Sequence, residues 1–406
     1  MAKNKYLTKQ IKADCCGCEV CAFVCPQKII IMQWDDEGFI YPQIINPDLC
    51  VDCGLCEKVC PISNPTKAND SIIAFSSGYM ESEEEIKRSA SGGLATAISR
   101  GFIAKNNGIV YGVRYSDDFE SIIYERATSQ EALEKFRGSK YAQAFKGKVY
   151  QKIIKDLNDG LNVLFIGLPC EVAALLKLVK RKYSTLYTIE LVCHGPTSPK
   201  VHKEFVRNLS KDVNTKVNNF TVRHKISGYR PYYVLAEFEN NNTFMRKFHE
   251  SEYGIAFRYL KRPSCAKCIF KLNNKKAGLQ GDMTIGDFHY AHEGMAAYNK
   301  WGCSVAYIHS LKGKILMDYS NSDFLRFPTD ARPALKSSFA LNKAVKKRIN
   351  RNQFAKKFIT QGLAAACRLN SINLLDGYIA FKGKIMTTLV KTRNLIVSLL
   401  YLKFNG

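Results

Sequence analysis

The sequence of 406 residues lacks three patterns that would each assign it to a different class of protein. Its opening residues are polar and lead into cysteines, without the basic start and apolar stretch of a secretory signal, so we expect a cytoplasmic protein. No apolar run reaches about 18 residues, which argues against a membrane span. No G-x-G-x-x-G occurs, so a Rossmann nicotinamide site has no support.

Acidic residues are few compared with basic ones, since 36 Asp and Glu stand against 60 Lys and Arg and give a net charge of +24. An excess of this size is typical of proteins that bind nucleic acid or acidic membranes. Much of it lies in residues 331–406, where fifteen Lys and Arg accompany the single acid Asp376. The rest of the chain has a smaller net positive charge, so we expect no nucleic-acid partner. A nucleic-acid-binding protein remains the weakest alternative, suggested by charge alone.

Fifteen cysteines in a long chain without a secretion signal indicate metal binding or redox chemistry, because disulfide scaffolds are short and secreted. Eight of them form two runs, 35 residues apart, with the spacing C-x2-C-x2-C-x3-C-P. In two-cluster ferredoxins three such thiolates bind one cluster and the fourth reaches the other. The first predicted [4Fe–4S] cluster therefore takes Cys15, Cys18, Cys21 and Cys60, and the second takes Cys50, Cys53, Cys56 and Cys25.

Two structural four-cysteine zinc sites are a weaker alternative for these runs. Cys16 falls outside the repeat and is interpreted as a bystander. Short strands at 28–33 and 39–45, around a turn at 35–38, fit a ferredoxin module that ends near Pro65.

Beyond residue 66 strands alternate with helices, which predicts an α/β domain. From about residue 217 the pattern changes to alternating strands, which predicts an antiparallel addition or subdomain. The predicted strands are 72–79, 108–115, 162–166, 186–192, 217–224, 232–239 and 243–248, and the predicted helices lie near 91–104, 147–158, 170–180 and 198–210.

Three features of this domain carry chemistry. Ser91-Gly92-Gly93 precedes a helix whose first N–H groups would face a phosphate, although a helix cap with a tight turn is the favoured interpretation. Cys170 follows a strand, where α/β sheets place ligands, and an inert buried cysteine is the alternative. Cys265 and Cys268 have the spacing of half a metal site. Together with Cys193, the thiols of Cys170, Cys265 and Cys268 would form a third four-thiolate site. The alternative is that Cys170 and Cys193 are buried cysteines and that the Cys265/Cys268 pair is unrelated to them.

From the ferredoxin module to about Phe288 the chain resembles the coenzyme F-420 hydrogenase/dehydrogenase beta subunit family, a group of iron–sulfur flavoproteins. In members of this group a cluster passes electrons to FAD, and the flavin passes hydride to a deazaflavin or reduces a substrate. The matching stretches, in the family's order, are KRSASGGLATAI, RGSKYAQ, FIGLPCEVAALLK, LVCHGPTSP, VRHKISGY, RPSCAKCIFK and GDMTIGDF.

The resemblance implies a third [4Fe–4S] cluster and an FAD pocket. It also implies proton donors in the matched stretches, with a structural role as the alternative for His194. The implied cluster ligands are Cys170, Cys193, Cys265 and Cys268; the implied flavin-binding residues are Ser91, Gly92, Gly93, Ser139, Lys140 and Tyr141; the implied catalytic residues are His194, Lys140 and Asp287.

Two departures bear on the substrate side of the pocket. Pro196 follows Gly195 at once, where the family has an extra small residue, and His289-Tyr290 replaces an aromatic residue and glycine. The tail resembles the bacterial branch associated with polysaccharide biosynthesis, which puts deazaflavin use in doubt.

The sequence thus predicts an α+β protein in three parts: a 2[4Fe-4S] ferredoxin-type domain at 1–66, an α/β flavin and iron–sulfur domain at 67–330 and a basic helical tail at 331–406. We expect a flavin-dependent reductase that takes electrons from a ferredoxin or a redox partner subunit and reduces a small or lipid-linked substrate. An electron-transfer subunit that only relays electrons to a partner enzyme is the alternative.

Residues 335–406 are expected to form two or more helices, the last one with an apolar face. Such a helix would lie on the inner face of a membrane or on a partner protein. Packing of this helix on the body of the protein is the favoured alternative.

Overall fold

The computed structural model describes residues 12–68, 71–180, 183–320 and 322–368. The chain divides into two compact units, one ending at Arg348 and one beginning at Ile349. The predicted domain boundaries at residues 66 and 330 stay predictions.

The first part of the chain is a small module around an antiparallel hairpin. Strands β1 (Ile30–Trp34) and β2 (Ile40–Ile44) confirm the two predicted short strands, and they pair with Ile30 opposite Ile44. The turn between them forms because the Asp35 carboxylate accepts the Phe39 N–H at 2.8 Å. Short helices α1 (Val20–Val24) and α2 (Leu55–Lys58) follow corresponding cysteines of the two runs.

An eight-stranded mixed sheet forms the centre of the larger part, in the order β13-β3-β12-β11-β7-β6-β4-β5. Strands β11, β7, β6 and β4 run parallel to one another, and the outer pairs are antiparallel. The strands are β3 (Ala74–Met80), β4 (Ile109–Tyr115), β5 (Ile122–Ala127), β6 (Val163–Gly167), β7 (Leu186–Leu191), β11 (Met283–Asp287), β12 (Ser304–Ile308) and β13 (Phe324–Pro328).

A separate three-stranded sheet, β10-β9-β8, confirms the predicted antiparallel addition. It consists of β8 (Val217–Lys225), β9 (Tyr232–Phe238) and β10 (Thr243–Lys247). Its buried residues alternate along β9, because one face packs on the protein and the other faces solvent.

Helices cover the large sheet, and their buried residues pack on its apolar strands. The four predicted helices are present within three residues at each end. Among the described residues of this part the helices are α3 (Glu83–Arg88), α4 (Leu94–Asn106), α5 (Gln130–Glu134), α6 (Val149–Asn158), α7 (Pro169–Val179), α8 (Pro199–Asp212), α9 (Glu252–Tyr259), α10 (Leu311–Asp318), α11 (Ala331–Lys336) and α12 (Phe339–Asn342).

The parallel centre of the sheet positions the candidate site. Because β6, β7 and β11 run in the same direction, their carboxyl ends lie at one edge of the sheet. The segments that begin with Leu168, Val192 and Phe288 leave the sheet at that edge.

The second unit contains helix α13 (Arg351–Cys367), which is interrupted at Gly362 with φ of 81°. None of the helices in the described ranges is long and apolar enough to cross a membrane. The predicted last helix of the tail lies outside the described residues.

Candidate metal centres and active site

The predicted ligands of the first cluster come together around a small cavity. Cys15, Cys18 and Cys21 come from the first run, and Cys60 arrives from the end of the second run to join them. All four are buried. The crossed assignment, in which the fourth cysteine of one run serves the other run's cluster, is therefore consistent with the fold.

The predicted ligands of the second cluster lie closer to the surface. Cys25 and Cys56 are buried in one apolar group with Cys50 packed against it. Cys53 is exposed. A cluster held by these four thiols would have one edge near solvent.

The four predicted ligands of the third cluster line one cavity of about 380 Å³. Cys170 lies in the first turn of α7, directly after β6, and Cys193 follows β7. Because β6 and β7 are parallel neighbours, these two cysteines meet at the same sheet edge. Cys265 and Cys268 reach the cavity from the short 3-10 helix Pro263–Lys267 and the residue after it.

The charges around this cavity suit an anionic group. Arg262, Lys267, Lys271 and Lys276 line it together with two acids. Burial raises the pKa of the Cys265 thiol above its usual range, and burial likewise raises that of Cys268 to about 11. The cationic side chains would offset the charge of a cluster that carries about −2 with its thiolates, and the buried thiols would lose their protons when they bind iron.

A fifth thiol, Cys16, lines the same cavity, and the sequence interpretation missed it. It also borders the cavity of the first cluster. Hydrogen bonds from the thiols of Cys170 and Cys18 hold the pKa of Cys16 well below its ordinary value. The only sequence signal for this position is the adjacent pair Cys15-Cys16, which breaks the match between the two runs.

The loop that carries Cys16 is clamped to the α/β part of the protein. The Gln143 side-chain amide donates to the carbonyls of Cys16 and Gly17 at 3.1 and 3.0 Å. Arg262, only 2% exposed, donates to the carbonyls of Cys15 and Ile40, each at 2.8 Å. These bonds hold the ferredoxin-type module beside the third cavity.

Gly17 is required at this contact. Its φ is +68°, and a Cβ there would lie 2.4 Å from the Gln143 amide and 2.7 Å from the Arg262 guanidinium. Only glycine allows the two side chains to approach the loop this closely.

No three His, Cys, Asp or Glu side chains of the described residues converge tightly enough to hold a single metal ion.

The predicted flavin loop at Ser91 lies against the strands β3 and β12. The Ser91 hydroxyl donates to the Cys303 carbonyl at 2.6 Å, and the Gly92 N–H donates to the Ser304 hydroxyl at 3.1 Å. A Cβ on Gly92 would lie 2.4 Å from the Gly78 carbonyl oxygen. Close backbone packing thus accounts for Gly92, while Gly93 caps α4 in a left-handed conformation.

The second predicted flavin stretch adjoins the first. Arg137 donates to the Ser89 hydroxyl at 3.5 Å. The Lys140 ammonium donates to three carbonyls of its own loop, the nearest that of Arg137 at 2.6 Å. Burial lowers the pKa of Lys140 to about 7. Tyr141 stacks on Phe257 with 4.6 Å between ring centres.

Asp287 ends strand β11 at the same edge of the sheet, where the carboxyl ends of the parallel strands lie. Its carboxylate accepts hydrogen bonds from Arg223 at 2.8 Å and from the Tyr229 hydroxyl at 2.7 Å. Burial opposes ionisation of Asp287, but the positive charges of Arg223 and His289 outweigh it and hold the pKa at about 2. Asp287 is therefore ionised at neutral pH and has no proton to give.

Arg223 is a second residue that the sequence interpretation missed, although it lies in the matched stretch VRHKISGY. Its side chain is 6% exposed, and its guanidinium faces the rings of Tyr229 and Tyr232 at 5.0 and 4.9 Å. Its Nε and Nη2 atoms find no hydrogen-bond partner among the described residues. A buried guanidinium with free donors can bind an anionic group.

His194 lies in the chain between Cys193 and Gly195, which both line the third cavity. Its carbonyl accepts from the Lys261 ammonium at 2.6 Å. Desolvation and the charges of Lys261 and Lys271 lower the pKa of His194, so its ring is neutral at pH 7. Its side chain is exposed, which leaves it accessible to a ligand at this edge.

Comparisons with known proteins match two regions of the chain. Residues 160–327 match the family model for the C terminus of the coenzyme F420 hydrogenase/dehydrogenase beta subunit. Residues 14–64 match the model of a 4Fe-4S dicluster domain.

Among curated proteins, the coenzyme F420-dependent sulfite reductase of Methanocaldococcus jannaschii is 28% identical over 183 residues, which cover 45% of this chain and 28% of that protein. Ferredoxin-1 of Caulobacter vibrioides is 40% identical over 58 residues, 14% of this chain and 46% of the ferredoxin. The chain thus spans less than half the length of these relatives. The F420-reducing [NiFe] hydrogenase complex from Methanosarcina barkeri contains a chain with 16% identity and a TM-score of 0.45, over 74% of this chain and 92% of that one.

Proposed function

Since residues 160–327 belong to the coenzyme F420 hydrogenase/dehydrogenase beta subunit family and residues 14–64 form a ferredoxin-type 4Fe-4S domain, we propose that the chain is an iron–sulfur flavoprotein oxidoreductase. Its electrons would pass from two ferredoxin-type clusters through a third cluster to FAD and then to a substrate. The observation that carries this proposal is the cavity lined by Cys170, Cys193, Cys265 and Cys268 beside the ferredoxin-type module.

The exposure of the cysteines supports an order for the clusters. Cys53 of the second cluster is exposed, so a ferredoxin or a redox partner subunit would deliver electrons there. The ligands of the first cluster are buried and lie beside the third cavity. The second cluster is then the entrance, and the first cluster connects it with the third.

The fit of a flavin rests on the residues that surround the edge of the sheet. The loops at Ser91 and Lys140 both adjoin strand β8, where the Lys225 ammonium donates to the Ser91 carbonyl at 3.0 Å. The unpartnered donors of Arg223 suit a phosphate or another anionic part of the ligand. When bound, a flavin would accept electrons one at a time and deliver them in pairs.

The protein's own groups at this edge have distinct tasks in the proposal. Asp287 keeps its negative charge and orients Arg223 and the Tyr229 hydroxyl. The Tyr229 hydroxyl also lies 3.3 Å from His289 Nδ1. Lys140 remains the proposed proton donor, since its pKa near 7 allows it to release a proton at neutral pH, whereas the neutral ring of His194 could only accept one.

Anaerobic determination of iron, sulfide and flavin tests the cofactor set. We expect about twelve irons per chain from three four-iron clusters, and one FAD. Cys268→Ala should lose about four irons, whereas Cys303→Ala, a buried cysteine away from the three cysteine sites, should lose none. About eight irons in the parent protein would refute the third cluster.

Clusters without flavin would favour the alternative of an electron relay subunit. Flavin content unchanged in Lys140→Ala would remove Lys140 from the flavin site. Gly92→Val is unsuitable for this test, because a Cβ there collides with the Gly78 backbone whether or not a flavin binds.

A further inference from the structure

The two cysteine runs fold into equivalent loops. Gly17 and Asp52 hold the same position in the repeat, and both have a left-handed backbone, with φ of 68° and 50°. Glu19 and Gly54, two residues further on, are also left-handed and precede α1 and α2. The sequence repeat is therefore also a repeat of the backbone, so each residue of one loop has a counterpart 35 residues away in the other.

The α/β part of the protein covers the first of these loops. Val20 is 1% exposed and packs in the same apolar core as Cys18. The Tyr150 hydroxyl donates to the Cys18 carbonyl at 2.7 Å. Gln143 and Arg262 donate to further backbone carbonyls of the same run. The first loop thus uses its apolar side chains to pack against protein.

The second loop is uncovered. Leu55, which corresponds to Val20, is 39% exposed. Cys53, which corresponds to the buried Cys18, is exposed as well. Val51 in the same segment is 60% exposed. Exposed apolar side chains that are grouped in this way and bordered by polar residues are typical of a protein–protein interface.

The uncovered loop also differs in charge from the rest of the chain. Residues 48–58, which we call the second-run face, contain three exposed acids and one exposed base, whereas the whole chain has a net charge of +24. The acids are Asp48, Asp52 and Glu57, and the base is Lys58. A partner with basic side chains around an apolar centre would complement this face, because opposite charges favour the encounter of two proteins and like charges oppose it.

We propose that the second-run face is the docking surface of the electron donor, and that this donor is a one-electron redox protein with an apolar docking site bordered by Lys and Arg. The inference rests on the proposed function, in which electrons enter at the second cluster. In each encounter the donor is oxidised by one electron and the second cluster is reduced by one. The proposal narrows the donor, since a ferredoxin with an acidic surface would meet like charges at this face.

The test uses mitochondrial-type cytochrome c, a small basic haem protein, as a probe of the face. The chain is reduced chemically, freed of reductant and mixed with oxidised cytochrome c at low ionic strength, and haem reduction is followed by stopped flow. Asp52→Asn/Glu57→Gln should lower the second-order rate constant at least about threefold, and salt should diminish the difference. Glu84→Gln/Asp212→Asn, which removes two exposed acids outside the face, is the matched control and should react like the parent.

The apolar part of the face is tested in the same assay. Val51→Ser/Leu55→Ser should lower the rate constant severalfold at both low and high salt, because it removes apolar contact without changing charge. Leu311→Ser/Ile315→Ser, which alters two exposed apolar residues of α10, should leave it unchanged. An acidic plant-type ferredoxin as the probe should give the opposite charge effect, so that Asp52→Asn/Glu57→Gln reacts faster than the parent.

Carbodiimide cross-linking to cytochrome c, mapped by mass spectrometry, locates the contact without electron transfer. The cross-links should join lysines of cytochrome c to Asp48, Asp52 or Glu57. Cross-links confined to other carboxylates, or rate constants that do not change in either variant of the face, would overturn the docking surface. Self-association of the parent that Val51→Ser/Leu55→Ser abolishes would also overturn it, because a second copy would then cover the face. A parent that binds no iron in the ferredoxin-type module would instead refute the proposed function.

Discussion

Replacement of Arg262 tests whether the ferredoxin-type module is held on the α/β part of the protein by one buried side chain. Arg262 is 2% exposed and donates at 2.8 Å to three acceptors, the Cys15 carbonyl, the Ile40 carbonyl and the Gln143 side chain. Its guanidinium also lies 4.3 Å from the centre of the Tyr41 ring. Methionine would fill similar space without any of these bonds.

Arg262→Met leaves three buried acceptors without their donor. Each such loss costs about 1–3 kcal/mol, and water that enters the site recovers part of it, so we expect a decrease of about 3–5 kcal/mol in the free energy of unfolding. For a unit of this size each kcal/mol lowers the Tm by roughly 1–2 °C. The expected decrease in Tm is therefore about 3–10 °C at a fixed scan rate.

The same change removes a positive charge beside the first cluster, because Nη2 of Arg262 lies 3.6 Å from the Cys15 sulfur. A reduced cluster carries more negative charge, so its reduction potential should fall in Arg262→Met in an anaerobic redox titration. Arg262→Lys keeps the positive charge but lacks the planar donors of arginine. Its reduction potential should therefore stay close to that of the parent, while its free energy of unfolding should still decrease.

Arg207→Met is the matched control, since Arg207 forms an ion pair with Glu120 while its side chain is 58% exposed. Its loss should lower the free energy of unfolding by less than about 1 kcal/mol. A Tm and a potential for Arg262→Met equal to those of the parent would refute the role assigned to Arg262.

Three further substitutions probe the loop and the sheet edge. Gly17→Ala should lower both the iron content and the free energy of unfolding, because its Cβ overlaps the side chains of Gln143 and Arg262. Gly54→Ala is the control, since Gly54 has φ +67° and open space around it and bears only left-handed strain of roughly 1–2 kcal/mol. Equal losses in the two variants would contradict this explanation. Asp287→Asn leaves the buried Arg223 charge without its carboxylate, so the free energy of unfolding from thermal melts should decrease by about 3–5 kcal/mol. A decrease below about 1 kcal/mol would disprove the pairing. Burial lowers the pKa of Lys225 to about 7, so the unfolded chain binds more protons between about pH 7 and 10 and stability rises with pH there. The Tm of the parent minus that of Lys225→Met should increase from pH 7 to pH 9, and a constant difference would count against the burial effect.

Local patterns determined much of this protein. The spacing of the two cysteine runs predicted a ferredoxin-type domain, which the match over residues 14–64 confirms. Short strands around a turn predicted the hairpin at 28–45, and the alternating pattern from residue 217 predicted the β8–β10 sheet. Matched stretches predicted the family relationship, which the match over residues 160–327 confirms.

Tertiary structure decided which distant residues share a site. Cys170 and Cys193 meet because β6 and β7 are parallel neighbours, a pairing that neither strand encodes by itself. Cys16 looked like a bystander because it lines a cavity together with Cys170, which lies 154 residues away in the chain. Arg223 gave no local signal either, since its pairing with Asp287 depends on how the three-stranded sheet packs against the end of β11. The sequence determines the chemistry that each cysteine run can perform, whereas the arrangement of the sheets determines which thiols and charges act together.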